Sequence, residues 1–460
     1  TFSASEQRLD ADLRDPRFAL AARVQRDERE LRLETLSLSS GDAQLQAEGR
    51  LALGGTGAFT AQGRLRNFDP ARFVKLPAGL PKALLNTSLE AQGNLQPQLA
   101  LSLEFRSNNS RLAGQPLRLQ GSVDLAGAHV RRADVDIDAA GNHARLKGAF
   151  GAPGEALTLD IAAPRLDPLG IAGDLQGRLR LAGSANDPEF DGELKSSRLS
   201  LPGVLALKGL AFNGRVGRGR DGELSGRLRA ESVTLAGSEQ AFQTLALDLS
   251  GQRSRHRLGA QVQLSGLREL RLILEGGATQ GGVATRPGKR PSTARDGAWV
   301  WDGRLTELRL LRTLPASSQV LLRLAAPAPL RLAGDEFALG PAELGADDWS
   351  LRIEHLRRKQ GRLETAGRLQ HLPPLAVLAA FPELLGEDAT RSSALRTAAD
   401  SLRLGGEWSL TLADRLNGHA RLWRESGDLV PAGIALGLSE GRLDLRAEAG
   451  RIEADRKSVV

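Results

Sequence analysis

The sequence predicts an all-β chain: an elongated, curled β-sheet forming an open, groove-like solenoid, with a short helical insertion. Three observations predict it. Apolar residues recur with period two along most of the 460 residues, and successive side chains on a strand point to opposite faces. Gly, Asn, Asp and Pro punctuate the runs, as turns require. The alternation continues without an evident boundary. A prior of about 150 residues per domain, which would make about three domains, therefore gives way to one extended sheet.

The runs justify this in order. Leu99, Leu101, Leu103 and Phe105 alternate with Ala100, Ser102 and Glu104, and Val135 and Ile137 alternate with Asp134, Asp136 and Asp138. Leu157, Leu159 and Ile161 follow, then Leu179 and Leu181, then Leu245, Leu247 and Leu249. Leu258, Val262 and Leu264 precede Leu270, Leu272 and Leu274, and Leu410 and Leu412 come late. Leu is a mediocre strand former, but alternation this sustained outweighs propensity. A recurring Gly-x-apolar unit accompanies the runs, at Gly49, Gly63, Gly121, Gly177, Gly214, Gly303, Gly367 and Gly441. Its irregular spacing fits no fixed-period solenoid. At one strand per roughly 12 residues there are about 35 strands, and stacked at ~4.8 Å they span of the order of 150 Å. A sheet that long must curl or fold over, and a curled sheet with a Leu-rich inside is a trough.

Three segments interrupt the strands. Asp69 to Asn86 reads as short helical turns broken by Pro77 and Pro81. Gly276 to Ala298 has no apolar periodicity and reads as a flexible loop. Pro373 to Asp400 contains a helix from Leu375 to Leu385 and a second near Ser393 to Leu402. The organisation is then 1–275 as a β-groove segment, 276–298 as the loop, and 299–454 as the groove's continuation with the insertion near 373–400. Residues 455–460 (Asp-Arg-Lys-Ser-Val-Val) break the pattern and read as translated sequencing-adapter DNA. With Thr1 in place of Met and no signal peptide, the chain reads as an internal piece of a longer protein.

Composition excludes several chemistries. Cys is absent, which removes disulfides, thiolate metal sites and a Cys nucleophile. The longest apolar stretch, Pro374 to Phe381, falls far short of the ~20 residues of a spanning helix. The net charge is +7, and 54 of the 62 basic residues are Arg. These are spread along the chain, nearly balanced by Asp and Glu, and not interleaved with stacking aromatics. The pattern reads as a GC-rich genome rather than a nucleic-acid interface. Gly217-Arg-Gly219-Arg-Asp-Gly222 matches G-x-G-x-x-G, but strand alternation follows it, so it reads as a hairpin turn. Asp134, Asp136 and Asp138 resemble the start of a calcium loop, but Ala139 and Arg145 stand where Gly and Glu belong, so they read as a solvent face. The six His (129, 143, 256, 355, 371 and 419) are scattered without metal-ligand spacing and read as exposed strand or turn residues. No catalytic signature is present. The reading is a non-enzyme without catalytic, cofactor or metal site. Trp299, Trp301, Trp349, Trp408 and Trp423 read as packing residues, or as contacts to lipid or a partner.

Three local stretches carry a family resemblance. One is Phe68-Asp-Pro-Ala-Arg with the following Leu-Pro-Ala-Gly-Leu. The second is Leu112-Ala-Gly-Gln-Pro-Leu-Arg-Leu-Gln-Gly-Ser-Val followed by Gly141-Asn-His-Ala-Arg-Leu-Lys-Gly. The third is Trp301-Asp-Gly-Arg-Leu-Thr-Glu-Leu followed by Leu324-Ala-Ala-Pro-Ala-Pro-Leu-Arg-Leu. With the Gly-x-Leu grammar, from about residue 40 to 454, the chain resembles the TamB branch of the AsmA-like, bridge-like envelope proteins of diderm bacteria. The resemblance implies a periplasmic protein held in the inner membrane by an N-terminal helix missing from this sequence. It implies a taco-shaped β-sheet whose groove carries phospholipid acyl chains toward the outer membrane, with a BamA-like barrel, TamA, as partner. The assembly of autotransporters and outer-membrane proteins is the other role it suggests. On this reading the groove is lined by Leu99, Leu101, Leu103, Phe105, Val135, Ile137, Leu157, Leu159, Ile161, Leu179, Leu181, Leu245, Leu247, Leu249, Leu270, Leu272, Leu274, Leu410 and Leu412. The competing readings are a surface β-helix adhesin, an outer-membrane barrel, which the absence of Tyr opposes, and a scaffold offering sheet edges to nascent barrels.

Overall fold

The structure is a computed structural model describing residues 7–16, 18–72, 82–235, 241–280, 299–346, 348–374, 401–428, 430, 440–448 and 450–459. Among these residues the regular structure is 33 strands and two single-turn 3-10 helices, so the chain is all-β, as the alternation predicts. It divides into two compact units, residues 1–241 and 242–460.

In the first unit, strands Gln7–Asp15, Phe18–Arg26, Glu30–Ser40, Ala43–Ala52, Ala58–Phe68, Ala83–Asn94 and Ala100–Ser107 each pair antiparallel with the next. The meander continues through Gln115–Ala126, His129–Ala139, Asn142–Phe150 and Ala156–Ala163. It then runs through Leu175–Gly183, Pro188–Leu201, Leu205–Val216 and Glu223–Ala230. Tight turns keep chain neighbours adjacent in the sheet. Long strands also take a second short partner where a neighbour breaks. Ala83–Asn94 pairs first with Ala100–Ser107 and then with Ser110–Leu112. The break falls at Asn109, whose φ of 59° is left-handed, a conformation Asn tolerates better than most residues.

The second unit repeats the design. Thr244–Gln252, Arg255–Leu264, Arg268–Gln280 and Trp299–Leu314 pair in order. The 16-residue strand Trp299–Leu314 is matched by two shorter ones, Ser317–Leu324 and Ala328–Ala333. Through Glu336–Leu339 and Ala342–Ala346 the sheet reaches Trp349–Lys359. It ends with Arg362–Leu372, Arg403–Leu412, Leu416–Ser426, Glu440–Glu448 and Arg451–Val459.

The interruptions differ from expectation in three places. The helical reading of 69–86 holds for one turn, Pro70–Arg72, but Ala83 to Asn86 already belong to a strand, because they pair with both Phe68 and Leu112. Gly276 to Gln280 are strand rather than loop. Cross-strand pairing to Gly303, Asp302, Trp301, Val300 and Trp299 supplies the order that their own pattern lacks. Asp455 to Val459 extend the last strand against Glu440–Asp444. The helices expected at 375–385 and 393–402, and the loop from 281 to 298, lie outside the described residues, apart from Ser401 and Leu402, which are not helical.

Among the described residues, neither unit shows a large core. Most fully buried apolar residues are alanines, such as Ala133, Ala182 and Ala328. The buried leucines Leu310 and Leu321 pack with Leu264, Leu270 and Leu322 in a small cluster. Most of the other described leucines are half-buried, though Leu169, Leu224, Leu305, Leu330 and Leu402 are buried and Leu99 and Leu412 are among those exposed.

Candidate functional site: an apolar face in continuous rows

Directly opposed residues of antiparallel strands lie on the same face. Strand register therefore converts the period-two pattern into rows across the sheet. One row of the first unit runs Leu36–Ala47–Gly63–Leu89–Phe105–Gly121–Val135–Leu146–Leu159–Leu179–Gly192–Gly214. Two residues along each strand, or three across the bulge in Glu30–Ser40, a second runs Leu33–Gly49–Ala61–Ala91–Leu103–Val123–Ala133–Gly148–Leu157–Leu181–Phe190–Val216. Every position in both is apolar or Gly. Leu101 opposes Gly93 and Leu125, and Ile137 and Ile161 both oppose Ala144.

The second unit has its own rows. Leu245–Val262–Leu270–Leu310, Leu247–Ala260–Leu272–Leu308 and Leu249–Leu258–Leu274–Leu305 lie side by side. Leu410 opposes Thr365 and Gly418, and Leu412 opposes Leu363 and Leu416. Register thus groups the candidate residues of each unit on shared rows. Leu99 is the departure: it precedes the strand Ala100–Ser107 and is exposed. Ile137 and Leu412 are also exposed, and the others are half-buried.

Sequence reasoning missed the small members of these rows. The glycines of the Gly-x-apolar unit have the parity of the leucines and so stand in the rows themselves. Aromatic rings lie over some of them. A Cβ on Gly367 would stand 2.4 Å from Trp408 ring atoms, and one on Gly303 2.4 Å from the Trp301 ring. The Trp301 indole donates to His256 Nε2 at 2.8 Å, while His256 Nδ1 lies 3.0 Å from the Gln252 carbonyl. The Trp408 indole donates to Thr365 Oγ1 at 3.2 Å. His256 is therefore a half-buried partner on the apolar face, not an exposed turn residue. His129, against Glu155 at 2.8 Å, is likewise half-buried.

The opposite face is charged. One of its rows reads Asp136–Arg145–Asp160–Arg178–Glu193, signs alternating from strand to strand. Arg145 also reaches Asp134 at 3.0 Å, and Arg178 pairs with Asp160, so the aspartates of the calcium-like motif belong to this ion-paired face. Exposed pairs of this kind contribute little stability; they keep one face wet and the register specified. Arg442 and Arg421 hold the Asp444 carboxyl below the ordinary range through hydrogen bonds. The glycine motif at 217–222 is a hairpin turn, closed by Gly217 N–H to the Glu223 carbonyl at 2.6 Å. Asp187 accepts from Gly219 N–H at 2.8 Å across the turn. Among the described residues no helix is long and apolar enough to cross a membrane. A concavity of about 590 Å³ opens among Glu90, Glu104, Arg106, Arg132 and Arg145 of the charged face. Another, of about 580 Å³, is lined by Phe59, Gly93, Leu101 and Leu125 of one apolar row together with Arg131 and Arg132.

Residues 11–282 match the family model described as "TamB, N-terminal domain", which is more than half of the chain. The chain belongs to the TamB family. A similar relative is the translocation and assembly module subunit TamB of Haemophilus influenzae, 25% identical over 237 residues. The match covers 50% of this chain and 17% of that TamB protein. No solved structure matches.

Proposed function

We propose that the chain is a length of a periplasmic bridge that carries phospholipids between the inner and outer membranes along its apolar rows, supporting outer-membrane biogenesis with a TamA-like barrel. The observation that supports this reading is the unbroken register of apolar and Gly positions over many strands, with leucines that are half-buried and not packed into a core. Exposing an acyl chain to water costs about 0.8 kcal/mol per CH₂. A row of Leu, Val, Ala and Gly offers that chain equivalent contacts at each step, so it moves without a deep well or a high barrier. No covalent step is needed. A second reading, a scaffold for assembling outer-membrane proteins, draws on the relative's name, which includes translocation and assembly, and would use strand edges.

Photo-crosslinking in cells separates the two faces. A benzophenone side chain is placed at Leu103 or Leu247 and, for comparison, at Glu104 or Asp248 of the same strands. The apolar positions label phospholipid and the polar ones do not. Equal labelling of the two faces would defeat the reading, and labelling of nascent outer-membrane proteins without lipid would favour the scaffold.

A further inference from the structure

The cavity lined by Arg131 and Arg132 sits at the rim of the sheet in the first unit. Five strands begin or end beside it, at Ala58, Asn94, Ala100, Ala126 and His129. Its lining therefore draws on both faces, with Phe59, Leu101 and Leu125 of the apolar row and Thr60, Gln92 and Ser102 of the opposite one. A bulge brings the two arginines there. Val130 opposes Leu125, and Ala133 opposes Val123. Val130 and Ala133 thus share the apolar face although they are three positions apart. The two residues between them, Arg131 and Arg132, both fall on the other face, where regular alternation places only one. Bulges at sheet borders re-aim side chains in this way.

Both arginines are exposed, and their guanidinium groups make no ion pair among the described residues. Of the lining residues Asp124 alone is acidic. It stands directly opposite Arg132 and offsets one of the two charges, which leaves the cavity positive. The nearby Glu155 is already held by His129 at 2.8 Å. The row Thr60–Gln92–Ser102–Asp124 supplies hydroxyl and amide groups, and the short Ala58 and Ala100 leave room beside it. The apolar face does not stop at this rim. Leu95 and Leu99, two positions beyond Gly93 and Leu101, are 47% and 51% exposed. Their turn is fastened to its neighbours by Leu95 N–H to the Gly57 carbonyl at 3.1 Å and by Gly127 N–H to the Leu99 carbonyl at 2.8 Å. Two leucines are thus held in water beside a cationic pair.

We infer that this rim is a docking site for a phosphate-headed amphiphile: Arg131 and Arg132 hold the phosphate in the cavity, and Leu95, Leu99 and Leu101 take its acyl chains at the border of the apolar rows. The inference rests on the lipid-carrying reading above and adds where a headgroup docks and what charge it bears. Complementarity names the occupant. Two adjacent guanidinium forks match the several oxygens of a phosphate. A free anion uses the arginines but leaves the exposed leucines wet, and a neutral amphiphile covers the leucines but leaves the arginines bare. A headgroup kept at the strand ends stays in contact with water, so chains reach the rows without the charge crossing an apolar surface.

The test is equilibrium binding to the 460-residue chain of three probes: dihexanoyl phosphatidic acid, dihexanoylglycerol and inorganic phosphate. The native chain binds the phosphatidic acid about tenfold more tightly than the diacylglycerol, the worth of one charge-assisted hydrogen bond. Arg131→Ala combined with Arg132→Ala abolishes that preference and leaves diacylglycerol binding unchanged. The matching pair of Lys substitutions, which keeps the charge without the forks, retains part of it. Leu95→Ser combined with Leu99→Ser weakens both lipids. All of these side chains are exposed, and circular dichroism melting confirms that the variants fold. Arg118→Ala removes an exposed arginine outside the cavity and changes nothing; an equal loss there would make net charge the cause and overturn the site. Equal affinity of the native chain for the two lipids, or a preference that survives loss of both arginines, overturns the site and leaves the lipid reading standing. Binding of neither lipid overturns both. Inorganic phosphate binding as tightly as phosphatidic acid, dependent on the two arginines, overturns the amphiphile and leaves a plain anion site.

Discussion

At the scale of the residue, Leu103 faces Ala91 on one neighbouring strand and Val123 on the other, so a charge there interrupts a row. Its half-buried position lets an arginine stem lie along the row with its head turned outward. Leu103→Arg therefore costs about 1 kcal/mol of stability, typical of a point change outside a packed core. A charge in an acyl environment costs about 2.5–3.5 kcal/mol, which is more than tenfold in occupancy. Phospholipid labelling from Leu157, further along the same row, falls by about that factor in the variant, while far-UV circular dichroism is unchanged. Undiminished labelling would show that lipid does not follow the rows; Leu247→Asp makes the same test in the second unit. Asp174 offers a pH test of local structure. Burial raises its pKa, but the Ser197 hydroxyl and the backbone N–H groups of Ser197 and Arg198 outweigh burial, and the carboxyl lies below its ordinary value. A lowered native pKa gives stability that is present above the unfolded value of 3.8 and is lost as pH falls through the native one. The melting temperature of the native chain minus that of Asp174→Asn is therefore largest above pH ~5 and shrinks below pH ~4. A difference independent of pH over that window would show that the charge does not hold this loop.

At the scale of the element, strand existence and facing were legible in the sequence, because period two is a local property and parity alone decides which side chains share a face. Leu157, Leu159 and Ile161 could be assigned to one face without knowing which strands they meet. Row membership was not legible, because it depends on register, which turn geometry and bulges set. The bulge at Thr306, between the Ile273–Glu307 and Leu274–Leu305 pairs, moves Leu305 and Leu308 to the same face although their spacing is odd. Glycines were misread for a related reason. As turn punctuation they carry no partner, but in register Gly367 opposes Trp408 and Ile353. A Cβ there would stand 2.4 Å from both the Arg352 carbonyl oxygen and the Trp408 ring. Gly367→Ala must therefore displace the indole and strain the ladder, at a cost of about 1–3 kcal/mol. The expected result is a lower melting temperature together with a shifted tryptophan emission. An unshifted spectrum would mean that the ring does not rest on this glycine.

At the scale of the whole molecule, the decisive feature is what each unit lacks. Within each unit, strands pair with near neighbours in sequence, and most leucines stay half-buried. Stability in such an architecture is a sum of nearest-neighbour terms rather than the property of one shared core. Cooperativity between distant strands is then weak, and two-state behaviour is not guaranteed. The chain carries a natural means of testing this, because all five Trp lie between residues 299 and 423. Tryptophan emission therefore reports only on the second unit, whereas far-UV circular dichroism reports on strands throughout. In urea the two transitions do not coincide, and the dichroism transition is the broader. Adding a tryptophan at Phe105, in a row of the first unit, introduces a second emission transition with its own midpoint. A single midpoint shared by all three probes would mean that the chain unfolds as one cooperative block, which rows without a common core do not explain.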